Sequence, residues 1–251
     1  MRKTAQNPFA EEIKDTKLGY DEEYEPSTWK EQLEILSGFY PELDSSHVSA
    51  LVRACGKLPE GAELIQVSPK MSALGKGLSD PYGADCAAIL EILLSNLKPL
   101  ELKNHAAKVL NPQQYQLLSS ARKVQERLEK ETPGDFLVFP IQSGILYAGY
   151  STNAGRWAIE ASGNQWPLPS WIVGHHVLTN PDRLGADLWL DCPGDEVRLS
   201  SNGHFEDSTY FFPGIAKLHF SYGALSTHVD SCAPASGFLV AKPKANAKKA
   251  A

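Results

Sequence analysis

The chain has 251 residues, of which 42% are hydrophobic and 22% charged, so it is long enough to fold around a sizeable core as one large domain or two small ones. Its net charge of −6 argues against a protein that binds nucleic acids through a basic body. The first residues lack the apolar stretch of a secretory signal, and no apolar run approaches the roughly 18 residues of a membrane span. We therefore expect a cytoplasmic protein that does not contact a membrane.

The cysteines indicate the same compartment. The chain has four of them, Cys55, Cys86, Cys192 and Cys232, and none belongs to a Cys-x-x-Cys pair. Cysteines in the cytosol are kept reduced, and free cysteines are usually buried. We therefore expect four thiols rather than two disulfides.

The first half of the chain reads as helices that follow an acidic arm. Residues 1–26 are polar and acidic, which is typical of an extended arm. Thr28 and Glu31 then match a capping box, in which both side chains bond free backbone N–H groups at a helix start. Further helices are predicted over residues 45–54, 84–97, 99–110 and 111–130, with a short strand over 63–67 and a loop over 68–83.

The strongest of these helix signals is Asn111-Pro112-Gln113-Gln114, in which Asn caps, Pro occupies the first turn and Gln takes the capping-box position. We expect this helix to end before Gly134 and to join the two halves of the chain. Its later turns carry charged side chains at i, i+3 and i, i+4 spacing, which predicts a solvated face. Residues 27–134 are therefore predicted to be a helical region.

The character of the sequence changes near Gly134. Of the 23 Phe, Trp and Tyr residues, 15 lie after it, and the hydrophobic period becomes two. Short strands are predicted over residues 136–141, 145–150, 156–161, 186–191, 196–200, 209–212, 215–222, 225–229 and 238–241, with one inserted helix over 170–178. The Pro-Gly pairs at 193–194 and 213–214 favour turns. Residues 135–241 are therefore expected to form a mainly antiparallel β domain, and the whole chain is expected to be an α+β protein.

The last ten residues, 242–251, are of low complexity and contain four lysines. Such a segment cannot bury apolar surface, so we expect a basic, flexible tail. Contact between its lysines and nucleic acid or another anionic partner is one interpretation. A tail that merely keeps the protein in solution is the other.

A cluster of acidic residues between positions 182 and 198 is the best candidate for chemistry. Pro181-Asp182, followed by Glu196-Val197-Arg198, resembles the pattern of nucleases whose paired carboxylates hold a divalent metal. The chain departs from that pattern because Arg198 stands where a lysine would assist the attacking water, and its pKa is too high for proton transfer. Asp182, Asp191, Glu196 and Arg198 are thus candidate catalytic residues of a metal-dependent hydrolase. The alternative is that the acidic residues are solvated turn and strand-end positions.

Aromatic residues provide the candidates for binding. Trp166 lies in a loop rich in Gly and Pro that is predicted either to protrude as a contact surface or to fold over its own tryptophan. Trp171 and His175 share one face of the predicted inserted helix, where His175 is either a ligand contact or a hydrogen-bonded core residue. The remaining histidines and cysteines lack zinc-site spacing, so whether a metal binds stays unknown, and no cofactor is expected.

These observations favour a soluble, non-enzymatic interaction or assembly protein that uses its aromatic β domain to contact another protein. Two alternatives stay open. One is the metal-dependent hydrolase, which requires the acidic cluster to converge in a cleft. The other is a small-ligand-binding domain, which requires a concave pocket on the aromatic sheet with a few polar groups. The sequence does not indicate an oligomeric state.

Overall fold

The computed structural model describes residues 7–16, 24–184, 189–200, 202–215, 217–227 and 230–240. Over these residues the chain is an α+β protein in which helices and strands alternate. Its α-helices are α1 (Trp29–Phe39), α2 (Val48–Cys55), α3 (Met71–Leu74), α4 (Cys86–Asn96), α5 (Ser119–Glu131), α6 (Thr152–Ser162) and α7 (Ser170–Thr179). Its strands are β1 (Leu64–Pro69), β2 (Lys103–Asn104), β3 (Tyr115–Leu117), β4 (Phe136–Gln142), β5 (Gln165–Pro167), β6 (Leu190–Val197), β7 (Asp207–Gly214), β8 (Lys217–Ala224) and β9 (Ser236–Phe238).

The strands form two sheets. The first has the order β1-β4-β9-β5, and its neighbouring strands are antiparallel. The second has the order β2-β8-β7-β6-β3, in which β2 and β8 are parallel and the other neighbours antiparallel. Each sheet therefore combines strands from before and after Gly134.

The α+β class is confirmed, but the expected separate helical region at the N-terminus is wrong. Residues 27–134 contribute strands β1, β2 and β3 as well as helices. Strand β1 pairs along its whole length with β4, from Leu64 opposite Ile141 to Pro69 opposite Phe136. Short segments between the early helices thus complete sheets whose other strands come much later, and a local sequence pattern does not reveal such long-range pairing.

Helix α7 lies at the centre of the fold, and all of its residues are buried. It contacts α1, α4 and strands of both sheets. Gly174 makes this packing possible, because a Cβ at that position would lie 2.5 Å from Leu93 Cδ2 and 3.2 Å from Phe211 Cζ. The predicted inserted helix is confirmed, and it ends at Thr179 with Asn180 as the cap residue.

Several predicted helix boundaries are also confirmed. The Thr28 side chain accepts a hydrogen bond from Glu31 N, and the Glu31 carboxylate accepts one from Thr28 N, which completes the capping box of α1. Gly56 follows the last residue of α2 with a φ of +66°, a conformation that favours glycine. Residues at the start and end of a helix follow local rules, which is why the sequence located these positions.

The segments predicted as strands over residues 145–150 and 156–161 are helical instead. Residues 145–147 form a 3₁₀ turn, and residues 152–162 form α6. Ser151 caps α6 by accepting from Ala154 N at 3.0 Å, and Gly163 ends it with a φ of +73°. The apparent alternation of residues 156–161 is misleading, because the buried Gly155 and Ile159 are four residues apart and define a helical face.

The helix predicted to start at Asn111 begins later, at Ser119. Asn111 accepts hydrogen bonds through its own carbonyl from Gln114 N and Tyr115 N, so it starts a turn. Residues 115–117 then extend along β6 as strand β3. The helix predicted over residues 99–110 is likewise replaced by two 3₁₀ turns and the short strand β2.

The turn predicted at Pro193-Gly194 is wrong, because both residues lie within strand β6. The pairing of β6 with β7 shifts register between Cys192 and Val197 at this point. Gly194 is required there since a Cβ would lie 2.5 Å from Pro169 N of the neighbouring segment. A Pro-Gly pair therefore makes a bulge in the strand, where a hairpin turn was expected.

The described part of the acidic arm packs against the body of the protein. Ile13 forms an isolated bridge with Tyr150, and Glu12 accepts hydrogen bonds from both the backbone and the side chain of Ser151 at the start of α6. The lysine-rich segment 242–251 lies outside the described residues. No helix in the described part of the chain combines the length and apolar character needed to cross a bilayer.

Candidate binding site on the aromatic sheet face

Strand β7 presents large aromatic side chains on both of its faces. Thr209 and Phe211 are buried, with exposures of 1% and 0%, and they face the core. Tyr210 and Phe212 alternate with them and are half-buried. Because successive side chains of a strand point to opposite faces, Tyr210 and Phe212 belong to the outer face of this sheet.

The outer aromatic side chains form a continuous stack. The rings of Trp189 and Tyr210 are parallel, with centroids 5.0 Å apart and an interplanar angle of 4°. Phe212 lies 5.4 Å from Trp189, and His219 of β8 stacks on Phe212 at 4.6 Å. We call these four residues the aromatic face.

A cavity of about 190 Å³ adjoins the aromatic face, and Trp189 and Tyr210 belong to both. Its other lining residues come from β6, β8, the start of α6 and the chain near Cys232, and they are Thr152, Asp191, Gly223, Ala224, Thr227 and Cys232. We call this cavity the Asp191 pocket. Gly223 keeps it open beside Tyr210, since a Cβ there would lie 3.3 Å from Tyr210 Cε1.

Asp191 is placed in this pocket by the pairing of three chain segments. It lies directly opposite Tyr210 in the β6–β7 ladder, so both side chains are on the outer face. Its backbone N–H donates to Ala233 O at 3.2 Å, and its carbonyl accepts from Ala235 N at 3.1 Å. The segment that contains Ala233 and Ala235 continues into β9 of the first sheet, so Asp191 lies where the two sheets meet.

The carboxyl group of Asp191 has little compensation for its burial. The residue is 4% exposed, and its Oδ2 atom has no hydrogen-bond partner among the described residues. Burial raises the pKa of Asp191 to about 7, although the backbone of Ala233 and the side chain of Cys232 lower it in part. A desolvated carboxyl with an unused acceptor is typical of functional sites.

Asp195, four residues further along β6, shows the contrasting case. It is completely buried, but it accepts hydrogen bonds from Tyr115 Oη at 2.9 Å, from Ser170 N at 3.1 Å and from the Thr209 hydroxyl. Burial raises its pKa to about 6, and these donors lower it in part. Asp195 therefore ties β3, β7 and the start of α7 together, a structural role that its contacts fully explain.

Other groups at the pocket are mainly neutral. Burial raises the pKa of Tyr210, and the nearby Asp191 carboxyl raises it further. In the first turn of α6, Asn153 N donates to Leu225 O and Ala154 N to Ser151 Oγ, so these two amides do not serve an anion in the pocket. The Asp191 pocket therefore combines an acceptor, a thiol and hydroxyl groups with an aromatic wall.

The residues of the acidic cluster predicted from the sequence have separate surroundings in the structure. Asp182 is exposed in a 3₁₀ turn, whereas Asp191 is buried in the pocket. Glu196 lies five residues further along β6, up to roughly 16 Å of extended strand away, and accepts from Gln116 Nε2 at 2.7 Å. Arg198 lies over the Phe205 ring and donates to Gln113 O. Within the described ranges, no group of three or more His, Cys, Asp or Glu side chains could hold a metal ion.

The three residues predicted to bind lie in the interior. Trp166 is 1% exposed and packs on Phe139. Trp171 donates from Nε1 to Pro69 O at 2.9 Å. His175 contacts Tyr40 Oη at 3.0 Å and Trp171 O at 2.7 Å, and burial lowers its pKa to about 3, so it is a neutral core residue.

The residues of the aromatic face were harder to find from the sequence. The run Thr209-Tyr210-Phe211-Phe212 is apolar or aromatic on both faces, so alternation alone does not distinguish the core face from the outer one.

No protein-family model matches the chain, and comparisons with curated proteins and with solved structures find no match.

Proposed function

We propose that this chain is an interaction protein whose partner, another protein, lies against the aromatic face and inserts one side chain into the Asp191 pocket. The observation that carries the proposal is the parallel stack of Trp189 and Tyr210 on an outer sheet face, beside a pocket with a buried carboxyl. Large aromatic side chains are enriched at protein interfaces and dominate their energetics.

Two further features support a protein partner. Ile215, at the tip of the β7–β8 hairpin that carries Tyr210 and Phe212, is 98% exposed and adds apolar surface. The pocket volume of about 190 Å³ is smaller than the several hundred Å³ usual for sites that enclose drug-sized ligands or cofactors. A pocket of this size suits one inserted side chain.

The test is a selection of random displayed peptides against the full chain. Peptides are then compared for binding to the Phe212→Ala variant, which removes part of the aromatic face, and to Ile92→Ala as a control. Ile92 is 40% exposed on α4, a helix that packs against the central α7. We expect peptides whose binding falls at least tenfold with Phe212→Ala and is unchanged with Ile92→Ala. Selected peptides that bind both variants as tightly as the wild type would refute the proposal.

The pocket itself favours a second candidate function, the binding of a free small molecule. Its buried carboxyl and aromatic wall match the few polar groups on an apolar surface that ligand sites require. If the pocket binds a free small molecule, a small compound should bind it tightly without displacing the selected peptides from Phe212. Measuring whether such a compound and a selected peptide compete separates the two functions.

A further inference from the structure

We infer that the group received by the Asp191 pocket is the primary ammonium of a lysine side chain on the partner protein, an inference that rests on the proposed function. The first argument is charge. None of the described residues that line the pocket carries a basic side chain. Among the described residues, the other titratable side chains that line the pocket are the thiol of Cys232 and the phenol of Tyr210, which supply no positive charge.

A buried carboxylate is costly without a partner, so it either binds a proton or pairs with a cation. Asp195 meets this need with three donors from the protein, whereas Asp191 Oδ2 has none among the described residues. The fold thus leaves one buried acceptor unused on a residue that lines the cavity. A cationic group supplies both the missing charge and the missing donor.

The geometry favours an ammonium over a guanidinium. The Ala233 backbone and the Cys232 side chain already interact with this carboxyl, and among the described residues its Oδ2 atom has no hydrogen-bond partner. A guanidinium binds a carboxylate best through both oxygens at once, whereas an ammonium is a compact charge with three donors. Thr152, Thr227 and Tyr210, which also line the pocket, carry hydroxyl groups that can accept further hydrogen bonds.

The aromatic wall suits the rest of a lysine side chain. Its four methylene groups can pack along Trp189 and Tyr210 while the charge enters the pocket. Aromatic rings also attract a cation that lies close to their faces. An anionic ligand fits poorly, because the amides of Asn153 and Ala154 in the first turn of α6 are already engaged and a carboxyl group already lines the cavity.

The probe for this inference is n-butylammonium, the end of a lysine side chain, compared with the isosteric neutral 1-butanol and with butyrate. Each is titrated into the full chain at pH 8 and followed by backbone amide NMR. We expect n-butylammonium to shift amides of β6, β7 and the Cys232 segment, and to bind at least tenfold more tightly than 1-butanol and butyrate. The Asp191→Asn variant should lose this preference, and Asp182→Asn, at an exposed position, should keep it.

A second readout is proton release. At pH 6 the buried carboxyl is mostly protonated, so n-butylammonium should displace its proton, and calorimetry in buffers of different ionisation enthalpy should detect it. Gly223→Val provides an independent variant, which narrows the pocket beside Tyr210 and should weaken n-butylammonium and 1-butanol alike.

Equal affinity for n-butylammonium and 1-butanol, or an unchanged preference in Asp191→Asn, would overturn the inference. Peptides that depend on Phe212 would then still support the proposed function. Conversely, a clear preference for n-butylammonium without any Phe212-dependent peptide would support the ammonium site and refute the protein partner.

Discussion

Gly149 donates a hydrogen bond from its backbone N–H to the carbonyl of Cys232 at 2.8 Å, and its own carbonyl accepts one from Lys14 N at 2.9 Å. Cys232 lines the Asp191 pocket, and Lys14 belongs to the acidic arm. One glycine therefore connects the arm to a wall of the candidate site. It does so with a φ of +80°, and a Cβ there would lie 2.3 Å from Lys14 O.

Replacing Gly149 with alanine should release the arm. The added methyl group clashes with the Lys14 backbone, so we expect faster amide hydrogen exchange over residues 12–16 and a loss of stability of about 1–3 kcal/mol. Gly163→Ala is the matched control, because its φ of +73° imposes similar strain but nothing lies within 4 Å of the new Cβ. Equal exchange in the arm of both variants would show that the close approach is unimportant.

Asp191→Asn should become more stable than the wild type as the pH rises. The ordinary pKa of 3.8 applies in the unfolded chain, and burial raises it to about 7 in the folded state. Below about pH 4 both states are protonated, and between pH 4 and 7 the unfolded chain ionises first, so the wild type loses stability. The difference of about three pKa units corresponds to about 4 kcal/mol, which is fully present above pH 7.

Urea unfolding of the two proteins from pH 4 to pH 8 measures this difference. Asp182→Asn, at an exposed position, should follow the wild type over the whole range. If the free energies of unfolding of the wild type and Asp191→Asn differed by the same amount at every pH, the Asp191 carboxyl would not titrate as an uncompensated buried acid.

Asp195→Ala should have the opposite effect at neutral pH. The substitution leaves the buried donors of Tyr115, Ser170 and Thr209 without their acceptor, so we expect a loss of about 3–5 kcal/mol in the free energy of unfolding. Tyr115→Phe removes a single donor and should cost about 1–2 kcal/mol. If Asp195→Ala cost less than Tyr115→Phe, the structural role of this carboxylate would be wrong.

Glu129→Ala should destabilise the protein strongly although it lies on a charged helix. The Glu129 carboxylate accepts from Met71 N at 3.0 Å, from the Ser72 backbone and hydroxyl, and from Tyr82 Oη at 2.6 Å. We expect a loss of about 3 kcal/mol or more. Glu126→Ala, three residues earlier on α5, breaks only an exposed pair with Arg122 and should cost less than about 1 kcal/mol. Similar losses for both variants would contradict this assignment.

The sequence predicts those parts of the fold that depend on local chemistry. The capping box at Thr28, the end of α2 at Gly56 and helix α7 all follow from residues close in the chain. The β7–β8 hairpin is another such element, although its turn follows Gly214 and the predicted turn residues Pro213 and Gly214 pair with Leu218 and Lys217 at the end of β7. These features depend on hydrogen bonds and turns that form within a few residues.

Long-range packing accounts for what the sequence does not predict. Glu129 looks like its solvated neighbour Glu126, and the segment near Met71 that buries it lies far away in sequence. The pair Pro193-Gly194 is typical of a turn, but in the fold it forms a bulge in β6 and lies close to Pro169. Among the residues of the candidate site, the sequence identifies Asp191 as a candidate through its acidic side chain. Its position opposite Tyr210 depends on the register of the sheet, which the sequence does not reveal.

The most direct test of the proposed function is to map the contact surface of a selected peptide by cross-saturation NMR on the deuterated full chain. Saturation of the peptide protons should reduce amide signals of Tyr210, Phe212 and His219, with little effect on α4. Signal loss confined to α4 or another surface, with the strands β7 and β8 unaffected, would contradict the assignment of the aromatic face as the partner-binding surface.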